Sequence, residues 1–176
     1  MPDGAGDPLR TQLAEIYDRH GAALFRVAWT LLRSRPDAED AVQEVFLGLA
    51  RTQSTLGRIE NLRAYLFAAL RHAVARVAAR RKTEPLPDDP PAREPDAEID
   101  AEIFQLLERG LAALPAEQRE VLTLKIDGGL TFAEVAEVLG VRLKTAASRY
   151  RYALEKLRAT IDEARHESRT APTRPA

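Results

Sequence analysis

A chain of 176 residues with no cysteine has no disulfide, no thiolate metal site and no cysteine nucleophile. Apolar residues make up 45% of it, enough for a packed core, and a net charge of −1 gives no overall pull toward an acidic partner. Met1 to Leu9 lacks the basic-then-apolar pattern of a secretory signal, and no apolar run approaches the ~18 residues of a membrane span, so the expectation is a cytoplasmic chain without membrane insertion.

The charge is unevenly spread. From Leu9 to Thr83, Lys and Arg outnumber Asp and Glu by 13 to 7; from Glu84 to Gly110 the balance reverses, 2 to 9. Between Leu111 and His166 it is near even, but Arg142, Lys144, Arg149, Arg151, Lys156 and Arg158 crowd one stretch opposed only by Glu155. Two basic regions therefore flank an acidic middle.

Nearly every segment has helical periodicity, which predicts an all-α fold. Leu9 to about Leu32 carries one apolar stripe (Leu13, Ile16, Tyr17, Leu24, Val27, Ala28, Leu31, Leu32), with a break expected near His20-Gly21. Ser34 and Pro36 signal a helix start, and that helix runs to about Ala50. Its apolar side is Ala38, Ala41, Val42, Val45, Phe46 and Leu49; the opposite side holds Glu39, Asp40, Gln43 and Glu44. A polar loop, Thr52 to Glu60, precedes a third helix from Asn61 to about Lys82 that ends in basic residues.

Glu84 to Pro95 contains five prolines, several acids and one large aliphatic residue, Leu86. Such a segment buries too little surface to offset its chain entropy, so it is expected to be a flexible linker between two small helical domains. The expected divisions are 9–83, a linker at 84–97, and 98–166.

In the second domain, a helix carrying Ile99, Ile103, Leu106, Leu107 and Leu111 ends at Leu114-Pro115. The next helix stops at Gly128-Gly129. Thr131 and Glu134 form the T-x-x-E pattern of a capping box, and Gly140-Val141 makes a tight turn before a long helix from about Arg142 to Ala164. The stretch after His166 is expected to be disordered.

Thr131 to Arg158 thus has the shape of a helix-turn-helix, with small residues Ala133 and Ala136 at the helix contact. Its basic second helix places Arg142, Lys144, Thr145, Ser148, Arg149 and Arg151 where they can reach DNA phosphates or base edges. This motif alone also fits a stand-alone DNA-binding regulator, which would act as a symmetric dimer on two half-sites. His20, His72 and His166 lack metal-ligand spacing, and no acid pair sits beside a nucleophile or a glycine-rich phosphate loop. The expectation is no metal, no cofactor and no enzyme site.

Residues in both halves carry a family resemblance. In the second half these are Leu114-Pro115, Arg119, Val121, Gly129-Leu130-Thr131, Glu134-Val135-Ala136, Leu139-Gly140-Val141, Thr145, Ser148-Arg149, Ala153 and Leu157-Arg158. They resemble region 4 of the extracytoplasmic-function sigma factors of the sigma-70 family. Tyr17, His20, Ala38-Glu39-Asp40, Val42-Gln43-Glu44-Val45-Phe46 and Tyr65-Leu66 resemble region 2 of the same family. The resemblance implies a subunit that binds core RNA polymerase and directs it to promoter DNA, with an anti-sigma factor as a further candidate partner.

By position, Glu39, Asp40, Gln43 and Glu44 would dock on the clamp helices of the polymerase. Arg58, Asn61, Arg63 and Tyr65 would meet an unstacked base of the −10 element. Arg71, Arg76, Arg80, Arg81 and Lys82 would hold promoter backbone, and the helix-turn-helix would read the −35 element. Some positions depart from the family pattern: Tyr65 stands for a usual Trp, His72 for an Asn, Arg76 for an acid, Arg142 for a capping Ser and Lys144 for a Gly.

Overall fold

The computed structural model describes residues 8–52, 57–83 and 101–170. Seven helices follow one another: α1 (Pro8–Leu32), α2 (Arg35–Arg51), α3 (Leu62–Thr83), α4 (Ala101–Ala113), α5 (Ala116–Ile126), α6 (Phe132–Leu139) and α7 (Leu143–Thr170). There is no strand among the described residues. Helices α1–α3 pack on one another as one group, and α4–α7 as a second.

Local chemistry sets most of the boundaries. Extended backbone at Ser34 lets its hydroxyl accept the Asp37 N–H, and Pro36 occupies the first turn of α2, where its missing N–H costs nothing. Asn61 caps α3, its Oδ1 accepting the Ala64 N–H at 3.1 Å. Arg119 closes the other end of α4 by donating to the carbonyls of Leu111, Ala112 and Leu114. The sequence pattern singled out Arg119 without a role; here it satisfies carbonyls that a helix end leaves orphaned. Gly129 and Gly140, each with φ of 63°, supply the left-handed residues after α5 and α6.

Three boundaries differ from the sequence reading. Helix α1 is continuous through His20-Gly21. Packing of Leu24, Val27 and Ala28 into the core overrides glycine's cost of ~1 kcal/mol, and Gly21 leaves room for the Tyr17 ring, which would lie 3.3 Å from an added Cβ. Helix α7 begins at Leu143, not Arg142, whose carbonyl accepts the N–H groups of Thr145 and Ala146. It continues through Thr170, where disorder was expected after His166. The Glu84–Pro95 linker lies outside the described residues.

The apolar stripes meet in one continuous core. It joins Leu24 and Val27 of α1, Val45 and Leu49 of α2 and Leu66, Phe67 and Leu70 of α3 to Val121, Leu124, Leu130 and Val135 of the second group. A smaller cluster of Leu114, Leu122 and Ala153 fastens α4 and α5 to α7. Asp37, buried at the α2 start, pairs with Arg80 and Arg81 of α3. Replacing the fully buried Leu24 by Ala is expected to cost ~2–5 kcal/mol in urea unfolding. The same change at Leu47, 57% exposed, should stay within ~0.5 kcal/mol.

Candidate nucleic-acid interface

On α2, Ala38, Ala41, Val42 and Val45 face the core, so the residues between them face solvent. Glu39, Asp40, Gln43 and Glu44 are all exposed along this one side. Arg35 bonds Glu39 one turn away, and Arg76 of α3 pairs with Glu44. Beside the row, a groove between α1 and α2 is lined by Tyr17, Phe25, Val42 and Gln43, with Tyr17 resting edge-on against Phe46 at 5.0 Å. The row and the groove together form a mixed polar and apolar face.

The basic side of α3 is already engaged. Arg63 donates to the carbonyls of Gly128 and Gly129 at 2.7 and 2.9 Å, with Glu134 at 3.9 Å. Asn61 donates from Nδ2 to Glu137 at 3.1 Å, and Arg71 pairs with Glu120 at 2.7 Å. Arg81 donates to the Leu32 carbonyl as well as pairing with Asp37. Tyr65 is half-buried against the core, and Arg58 is exposed. His20 lies partly buried near the same place; burial, then the nearby Arg63 and Arg19, hold its pKa below the ordinary histidine value.

The helix-turn-helix is built as the capping pattern required. Thr131 Oγ1 accepts the Glu134 N–H, and the Glu134 carboxylate accepts the Thr131 N–H at 2.7 Å. Burial pushes the Glu134 carboxyl up, but its hydrogen bonds from Thr131, with Arg63 and Lys125 nearby, outweigh this and leave it below the usual value. At the turn the Val141 N–H reaches back to the Ala136 carbonyl. Arg142, Lys144 and Arg151 are exposed, while Thr145, Ser148 and Arg149 are half-buried. Arg149 pairs with Glu117, and Ser148 bonds the Lys144 carbonyl. Phe132 and Tyr150 stack edge-on at 5.4 Å, holding α6 to α7.

Sequence reasoning missed a set of cross-group partners. Thr30 Oγ1 donates to Asp127 Oδ2 at 2.9 Å across 97 positions, Arg26 donates to the Asp127 carbonyl, and Arg33 pairs with Glu108. No local pattern couples residues so far apart. No group of three or more His, Asp or Glu residues could hold a metal among the described residues, and no helix there is long and apolar enough to cross a membrane.

Comparison with known proteins matches residues 16–84 to sigma-70 region 2 and residues 104–157 to sigma-70, region 4. The chain is 33% identical over 168 residues to the ECF RNA polymerase sigma factor SigL of Mycobacterium tuberculosis, covering 91% of this chain and 94% of that one. It belongs to the extracytoplasmic-function sigma factors of the sigma-70 family. The sigma factor SigE of Mycolicibacterium smegmatis is 30% identical over 171 residues, and this chain spans 63% of its length. Among solved structures the fold resembles RpoE in complex with the anti-sigma factor NepR from Bartonella quintana (TM-score 0.72, 23% identity, 86% of this chain and 98% of that one). It also resembles CnrH in complex with the cytosolic domain of CnrY (TM-score 0.67, 23% identity, 90% and 92% covered). The protein is an alternative sigma factor, which directs RNA polymerase in promoter-specific transcription initiation; the stand-alone regulator is not favoured.

Because its folded pKa is depressed, the Glu134 carboxylate contributes stability above its ordinary value of 4.5, and that stability is lost as pH falls through the lower folded value. Urea unfolding between neutral and acid pH should therefore show a smaller acid loss in Glu134→Gln than in the parent. Thr131→Ala should cost ~1 kcal/mol in the same assay by removing the cap.

Proposed function

We propose that the exposed α2 row, Glu39, Asp40, Gln43 and Glu44, is the surface by which this sigma factor docks on core RNA polymerase. The observation carrying this is that four neighbouring polar side chains face solvent on a helix whose other side is fully committed to the core. The adjacent apolar groove adds area that a purely charged row would lack.

In the same reading, Arg58, Asn61, Arg63, Tyr65, Arg71, Arg76, Arg80 and Arg81 at and along α3 serve the −10 element. Arg142, Lys144, Thr145, Ser148, Arg149 and Arg151 of the helix-turn-helix serve the −35 element. Arg142, Lys144 and Arg151 are the most open to phosphate. Tethering both units to one polymerase raises their effective concentration at two sites on one DNA, so neither needs high affinity alone. The protein is a non-catalytic subunit acting in the cytoplasm, where its polymerase partner is. An anti-sigma factor, the kind of partner that RpoE carries in its complex with NepR, is a further partner here.

Titrating labelled protein into bacterial core polymerase should give binding on the order of nanomolar, weakened about tenfold or more by Asp40→Ala with Gln43→Ala. Unchanged binding by that variant would remove the docking assignment. Arg142→Ala with Lys144→Ala should lower DNA affinity across sequences and reduce the slope of log affinity against log salt by about 1 for each lost phosphate contact.

A further inference from the structure

Along α7 the stripe packed against the core is Ala146, Tyr150, Ala153 and Leu157. Two positions before each of these stand Lys144, Ser148, Arg151 and Glu155. At ~100° per residue this second stripe lies on the opposite side of the helix, the line that would first enter a groove. Two cations and a hydroxyl suit that place. Glu155 does not, because a carboxylate there repels phosphate. It is also the one acid in the basic run from Arg142 to Arg158.

What Glu155 meets is Arg151. Its Oε1 lies 3.7 Å from Arg151 Nε, and the Arg151 guanidinium carbon sits 5.0 Å from the centre of the Tyr152 ring. At that distance the carboxylate acts through its charge, not through a hydrogen bond. Support of the helix does not account for it. A pair four residues apart with the cation first is the weaker orientation, and the middle of α7 has no helix end to satisfy. The two neighbours instead fix the guanidinium, with the carboxylate at its Nε side and the ring against one face. No hydrogen bond engages the two terminal nitrogens among the described residues. Those nitrogens form an edge that matches O6 and N7 of guanine.

We propose that Glu155 is a positioning residue for base reading: with the Tyr152 ring it holds Arg151 with its terminal nitrogens outward, toward a guanine of the −35 element. The proposal rests on the assignment of α7 to that element made above. A freely rotating arginine meets phosphate as readily as base, and it loses rotamer freedom on stopping at one guanine. A guanidinium already held loses less, and the carboxylate beside it disfavours the approach of phosphate. Glu155 therefore lowers affinity for DNA in general and raises discrimination among sequences.

The test uses the full chain bound to bacterial core polymerase and a pool of random-sequence double-stranded DNA fragments. Total retention is measured per bound sigma factor, and the retained fragments are sequenced for base preference at each position. Arg151→Ala should lower the preference for guanine at one position about tenfold, as loss of a bidentate contact does. Glu155→Gln keeps the shape and removes the charge. It should lower the preference at that same position roughly threefold, the cost of immobilising one side chain, while total retention rises. An unchanged guanine preference in Glu155→Gln makes the residue a surface acid and overturns the proposal, whatever retention does. So does an Arg151→Ala variant that loses guanine nowhere. A fall in retention across all sequences in Glu155→Gln marks damage to the fold and overturns it as well. Arg142→Ala with Lys144→Ala separates the two readings. Retention lowered there, with guanine preference intact in Glu155→Gln, sinks positioning alone; retention unchanged there removes the α7 assignment and positioning with it.

Discussion

Phe67 is fully buried because a second group of helices closes over the side of α3 that its own group leaves open. Gly128, with no side chain, is what lets the α5–α6 turn come close enough to cover that ring. Once the contact exists, the polar geometry follows from it. Arg63, four residues before Phe67, finds two carbonyls in the turn, and Asp127 meets Thr30 and Arg26. Apolar burial contributes the larger share, at ~25 cal/mol per Å². The half-exposed Arg71–Glu120 pair is of a kind typically worth ~1 kcal/mol or less, and so directs the fit more than it drives it.

This arrangement also makes sense of a charge pattern that looked contradictory. A chain with a basic first half would ordinarily present a basic surface, yet net charge is −1 and most of the α3 arginines are paired. Their partners come from two directions. Glu44 and Asp37 on α2 neutralise Arg76, Arg80 and Arg81 within the first group, whereas Glu120 and Glu134 reach across from the second to Arg71 and Arg63. At the helix-turn-helix, by contrast, Arg142, Lys144, Arg151, Lys156 and Arg158 stay exposed.

What could be read from the chain was what is local. Ser34-Pro36, the Thr131–Glu134 box and the glycine at 140 are decided within a few residues, and each forms as its pattern implies. The α2 row followed from helical period alone, since burying Ala38, Ala41, Val42 and Val45 leaves the four residues between them outside. The long-range pairings had no such signature: nothing near Thr30 indicates Asp127. Asn61 shows how a local signal is overlooked when a functional role is in view, because an Asn just before Leu62 is a natural cap, and its Oδ1 does cap α3 while its Nδ2 reaches Glu137. The expected break at Gly21 failed for the opposite reason, local propensity yielding to tertiary packing.

The Glu134 carboxylate faces two ways, closing the cap with Thr131 and standing near Arg63 of the other group. The two duties are unequal in kind. The cap is internal to the helix-turn-helix, so α6 keeps its N-terminal hydrogen bonds whether or not Arg63 is there. The cap's hydrogen bonds thus close within the motif, independently of the contact that crosses to α3. Substitution at Arg63 would therefore remove a contact between the groups and leave the internal hydrogen bonds of the helix-turn-helix in place.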